Sequence, residues 1–183
     1  MIVVEEGRKV NMSRLSVVLS LAVTLGMAAS AQQQRVSPHE QVSLTVGGKK
    51  ITIDYGRPYV KGRKIFGGLV PYGEVWRTGA DEATKLTTEA DLTIGNLKIP
   101  KGTYALFTLP TESGWTLIVN TIANQWGAFK YDQGKDLGRT GMKVASGPKT
   151  EQFTMTLEAQ GSGGGILRMA WDTTVATAAF KAQ

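Results

Sequence analysis

From Gln41 onward, apolar and polar residues alternate with a period of two. The runs QVSLTV and KKITIDY flank Gly47-Gly48, and a glycine pair is what a two-residue hairpin turn needs for positive φ. Further short runs follow as KLTT, DLTIG, LKIP, TYALFTL, WTLIVN, QFTMTLEAQ, ILRMAW and TVATAAF. Turn signals separate them at Gly95-Asn96, Lys101-Gly102, Pro110 to Gly114 and Gly161 to Gly165. Threonine and β-branched residues dominate the runs, as a pleated, half-buried surface prefers. No sustained apolar stripe at helical spacing follows Ala31. The pattern predicts an all-β domain, an antiparallel β-sandwich or jelly-roll-like barrel. Its registers point Ile51, Ile53, Leu106, Leu117, Val119 and Phe153 inward.

The N-terminus reads differently. Leu15 to Met27 is a short apolar run, preceded by Arg14 and followed by Ala29-Ser30-Ala31. That arrangement describes a secretory signal peptide cleaved before Gln32. Residues 1–31 are therefore expected to be an N-terminal extension and signal, with Met12 fitting as the start, and residues 32–183 a single domain. The expected location is periplasmic or secreted, with no integral membrane segment after cleavage.

Composition narrows the chemistry. The 183 residues contain no cysteine and a net charge of +6. The fold must therefore stand on packing, without disulfides, and thiolate chemistry is excluded. The mild basic excess permits attraction to anions. Basic clusters or a groove-reading helix, the marks of nucleic-acid binding, are missing. A single histidine, His39, rules out multi-histidine zinc sites. Close to the new chain end, it reads as incidental. No G-x-S-x-G elbow or nucleotide-binding glycine motif is present. No cofactor, metal or catalytic residue is assigned, and oligomeric state is not encoded in any visible pattern.

The segment Asp54 to Thr84 stands apart. Its long connection from Gly56 to Gly73, broken by Pro58 and Pro71, exceeds the length of an ordinary loop, and ordered loops of that kind are usually functional. Arg57, Lys61, Arg63 and Arg77 supply cationic donors suited to carboxylate or phosphate. Tyr72 and Trp76 supply flat amphipathic faces, and Glu82 a carboxylate. Each has an equally concrete structural alternative. The arginines can brace the loop against acids and backbone carbonyls, and Trp76 can be core beneath it. Arg77 is expected to act first as a brace, tied to Glu82 or Asp54. A second group, Asn120 to Asp136, offers Trp126 and Tyr131 as another cleft wall, with Asp132 and Asp136 read as turn-forming acids.

These residues resemble a known family. The signature falls on Arg57-Pro58, Lys61-Gly62-Arg63, Ile65-Phe66-Gly67, Val70-Pro71-Tyr72-Gly73, Val75-Trp76-Arg77-Thr78-Gly79-Ala80 and Glu82-Ala83-Thr84. With IPKGTYALFTLP, GWTLIVN and NQWGAFKYD, it is similar to the bacterial family called "domain of unknown function 2911", over nearly the whole chain after Ser37. Asp81 stands where that family usually carries Asn, which questions any amide-specific role there. The resemblance implies the fold and export, and carries no activity.

Together these readings lead to a non-catalytic exported module binding a small polar or anionic ligand: a saccharide, a cell-wall fragment or a carboxylate. The alternatives are a carboxylate-dependent hydrolase of envelope or extracellular glycans, using Glu74 or Glu82 with Asp132, and a structural envelope protein.

Overall fold

Alternation in the sequence becomes nine strands in the computed structural model, which describes residues 34–183. The expected signal segment, residues 1–31, lies outside the described residues. The strands are β1 His39–Val46, β2 Lys49–Gly56, β3 Thr84–Thr88, β4 Leu92–Ile94, β5 Leu97–Ile99, β6 Gly102–Pro110, β7 Trp115–Asn120, β8 Asp136–Ala159 and β9 Gly164–Ala182. One short 3-10 turn, Gln133–Lys135, precedes β8. The first hairpin forms at Gly47-Gly48, with φ of 56° and 76°.

All the strand pairs are antiparallel, and they make one sheet in the order β1-β2-β3-β6-β7-β8-β9-β4-β5. The all-β expectation holds, but two separate sheets do not form. The reason lies in β8 and β9, of 24 and 19 residues. Their pairing shifts register around Gly147-Pro148, between Ser146 and Thr150 and again before Thr154. Opposite this irregularity Asp172 adopts φ 51°. Such bulges bend a strand without ending its ladder. The start of β8 therefore pairs with β7 and the end of β9 with β4. The sequence runs ILRMAW and TVATAAF are thus one strand. The stretch from Asp136 to Thr150, polar and rich in glycine, is also strand.

The bend lets the sheet close over its own face. Ile51, Ile53 and Tyr55 of β2 share one apolar cluster with Phe153 and Met155 of β8 and Leu167, Met169 and Trp171 of β9. All six positions expected inside are buried, none more than 1% exposed. The Tyr55 hydroxyl accepts from the Met155 backbone N–H at 2.9 Å and donates to Glu40 at 3.0 Å. A smaller cluster of Ala83, Ala105, Phe107 and Ile118 lies apart from it, covered in part by Ala128 and Tyr131.

Tyr55→Phe would leave the buried Met155 N–H without an acceptor, a loss of about 1–3 kcal/mol. Urea denaturation should show that destabilisation with an unchanged slope. Equal stability of the variant would mean the hydroxyl does not couple β2 to β8.

Candidate functional site

The long connection is tied down before it can present anything. Val60 N–H donates to Glu151 O and Phe153 N–H to Pro58 O, both at 2.8 Å. On its return Trp76 pairs with Thr108 in both directions, at 2.8 and 2.9 Å. The Trp76 ring stacks on Trp171 at 5.7 Å between centroids and meets Phe153, Phe66 and Trp115 edge-on. Its indole N–H donates to Gly79 O at 3.1 Å. Next, the buried Thr78, at φ 56°, bonds Thr108, and Thr84 Oγ1 donates to Thr78 O at 2.6 Å. The chain passes so near β2 that a Cβ on Gly56 would collide with the Ala80 carbonyl. The glycine there answers to space, since no side chain fits.

Asp81 is the hinge of the arrangement. It sits at φ 63°, a left-handed conformation that Asp tolerates better than most residues. Its carboxylate accepts the backbone N–H groups of Val36 and Ser37 at 3.0–3.2 Å. Only acceptor capacity is used, so this position needs no amide donor. Beside it, Arg35 donates to Glu82 at 2.9 and 3.1 Å. Residues 35–37 thus form a strap held by two successive acids of the signature.

Residues of that strap line two clefts. The first has a volume of about 340 Å³, with Arg35, His39, Asp54, Glu82, Gln125 and Trp126 in its wall. The second, about 460 Å³, is lined by residues that include Lys61, Arg63, Trp76, Arg77, Asp81 and Trp171.

The candidate residues divide among these places. Arg57 is a brace: it donates to Phe153 O at 3.1 Å and Thr154 Oγ1 at 2.9 Å, and pairs with Glu40 at 2.7 Å. Lys61, Arg63, Trp76 and Arg77 come together at the second cleft. Arg63 also holds its own turn, donating to the carbonyls of Val60 and Tyr59. Glu82 and Trp126 meet at the first cleft, joined by an isolated antiparallel bridge. Tyr72, 39% exposed, lines neither cleft and lies over Gly67. Tyr131 packs on Phe107 at 5.0 Å and bonds Asp136 and Arg139 at 2.7 and 2.6 Å. It supports the loop and lines neither cleft.

Two expectations change. Arg77 does not tie Glu82 or Asp54. Glu82 is taken by Arg35, and among the described residues the Arg77 guanidinium has no hydrogen bond or ion pair, its buried Nε being unpartnered. Burial pulls its pKa down, and the charge of Asp81 only partly offsets that. His39 is not a loose chain end. It opens β1 opposite Gly56, and its side chain is only 14% exposed. The imidazole lies 3.7 Å from Asp54, 3.6 Å from Asp81 and 3.3 Å from Glu82, and neither nitrogen makes a hydrogen bond.

Trp171 went unnoticed in the sequence. It is 2% exposed and its indole N–H has no partner. Nothing in the run ILRMAW distinguishes it from ordinary core. Asp132 caps the 3-10 turn by accepting from Gly134 N–H at 2.8 Å and does not line the cleft that holds Glu82. Among the described residues no three His, Cys, Asp or Glu side chains are placed to hold a metal ion. Nor is any helix among them long and apolar enough to cross a membrane.

The fold and signature together define an all-β domain built around one braced connection. The chain belongs to the family described as "Protein of unknown function (DUF2911)", whose model matches residues 37–180. No curated protein and no solved structure matches it.

Two outcomes follow. In urea denaturation at neutral pH, Arg57→Ala should lose about 1–3 kcal/mol, because carbonyl and carboxylate partners are stranded, while Arg77→Ala, which removes an unpartnered buried donor and strands no acceptor, should be no less stable than the parent. The reverse order would restore Arg77 as the brace. Burial first, then hydrogen bonding to Asp136, pushes Tyr131 up to about 12. For Tyr55 burial likewise dominates, and its hydroxyl is pushed up to about 12 from 10.0. A folded value above the unfolded one gives stability that is complete below about pH 10 and is lost as pH climbs toward about 12. A phenolate absorbance titration should show both tyrosines lagging free tyrosine, with stability falling over that window. Titration of both at the free value would contradict it.

Proposed function

We propose that this protein is an exported, non-catalytic module that binds a small anionic ligand, one bearing a carboxylate or phosphate, in the second cleft. One observation carries the reading. Arg77 Nε and the Trp171 indole N–H are buried donors without acceptors, and both residues belong to the wall of that cleft beside Lys61 and Arg63. A buried donor left unmade costs about 1–3 kcal/mol, and a bound ion is one of the explanations such a group has in native structures. An anion seated there would supply acceptors and offset the crowding of three cationic side chains. Arg adds a planar fork that matches carboxylate and phosphate. The volume is of the size that holds a single small molecule.

Export is supported by the apolar run Leu15 to Met27 with its Ala29-Ser30-Ala31 exit. The hydrolase reading has less behind it, because Asp132 is engaged as a cap and Glu82 is held by Arg35. The structural-envelope reading leaves the unpartnered donors without a purpose.

Thermal melts of the full chain against phosphate, sulfate, acetate and citrate, at matched ionic strength, test the proposal. An anion at 100 times its dissociation constant should add about 2.7 kcal/mol, and Lys61→Ala with Arg77→Ala should remove the response. If no anion raises the melting temperature beyond chloride, the proposal fails.

A further inference from the structure

We propose that the first cleft is a separate site for one saccharide ring of neutral or amino type. It shares no lining residue with the anion cleft.

Its wall is preorganised by backbone bonds. Ala83 N–H donates to Gln125 O and Gly127 N–H to Asp81 O, both at 2.9 Å. These bonds set Trp126 against Glu82. The Gln125 amide is then oriented by its own donors, to Asn120 Oδ1 at 3.1 Å and Ile122 O at 2.8 Å. Asn120 is fully buried and itself held by Asp132 O and Asp136. With its nitrogen committed in this way, Gln125 keeps a buried Oε1 that no donor meets. On the facing side both His39 nitrogens lack partners. Asp54 is half-exposed, with His39 at 3.7 Å and Lys85, its cross-strand neighbour on β3, in the wall of the same cleft.

This set suits hydroxyl groups. A hydroxyl both donates and accepts, while an imidazole offers a ring N–H donor, an amide oxygen two acceptor sites and a carboxylate several. Trp126 contributes a flat, amphipathic face of the kind that covers the C–H side of a sugar ring. The charge pattern then selects within the class. Asp54, Asp81 and Glu82 all lie within 3.7 Å of the His39 ring, and Arg35 is already spent on Glu82. Of the acids, Asp54 and Glu82 line the cleft itself, so an incoming carboxylate would meet both with Lys85 as the cation left to it, whereas an amino group would find Asp54. At about 340 Å³ the cleft is near the lower end of small-molecule sites, which favours one ring over a longer glycan.

The probes are D-glucose, D-glucosamine and D-glucuronate, titrated into the full chain by calorimetry. Saturable binding of glucose or glucosamine is expected, with glucuronate at least about tenfold weaker. Trp126→Ala and Asp54→Asn should each weaken binding about tenfold or more. Asp54 is exposed enough that its variant keeps the fold, which circular dichroism checks, so the test survives if Trp126→Ala does not fold. Arg77→Ala should leave sugar binding unchanged, and Trp126→Ala should leave the anion response unchanged, so each cleft can fail alone. No saturable binding of either sugar, binding that ignores Asp54→Asn, or loss in Arg77→Ala would overturn the proposal.

Discussion

The stack of Trp76 on Trp171 is the contact on which the rest depends. One ring belongs to the long connection and the other to β9, and Phe153 of β8 touches both. Aromatic pairs of this geometry contribute about 0.5–1.5 kcal/mol beyond the area they bury. Position matters as much as energy here. The stack fixes the point at which the connection turns back onto the sheet, and so sets where Thr78, Asp81 and Glu82 fall. The two rings differ in one respect: Trp76 finds an acceptor in Gly79 O, whereas the Trp171 N–H is left without one.

From that point the charged residues sort by what the backbone leaves open to them. Arg57 stands at the end of β2, where the carbonyl of Phe153 and the hydroxyl of Thr154 are within reach, and it becomes a brace. Arg77 sits one residue past the stack, where no acceptor is offered, and becomes a free donor. Asp81, in its left-handed conformation, turns its carboxylate to the strap at Val36 and Ser37. The same composition, several arginines and acids in one connection, therefore yields opposite roles.

Much of this was legible in the sequence, and the rest was hidden for physical reasons. The period-two pattern placed Ile51, Ile53, Leu106, Leu117, Val119 and Phe153 inside because one face of each strand must be buried. The Gly47-Gly48 turn followed from its need for positive φ. The continuity of β8 was not legible, because a strand exposed along much of its middle and interrupted at Gly147-Pro148 loses its alternation. The partner of Arg77 was not legible either. Pairing depends on which acids the fold brings near, and Arg35, outside the signature, reached Glu82 first. The order at His39 was not legible, because nearness to a chain end suggests mobility, while its pairing with Gly56 makes it the first residue of a strand. Trp171 carries no local signal at all, since only the tertiary stack decides whether an indole N–H finds an acceptor.

Arg77 of the signature and Trp171 of β9 are both buried donors without acceptors, and the proposed anion would meet the two together. Nitrogen-15 correlation spectra of the indole and guanidinium Nε–H groups during a phosphate titration test it most directly. The Trp171 and Arg77 signals should shift together and saturate, while Trp76, already bonded to Gly79 O, stays in place. A Trp171 signal that holds still while phosphate binds, or a shift confined to Trp76, would contradict it.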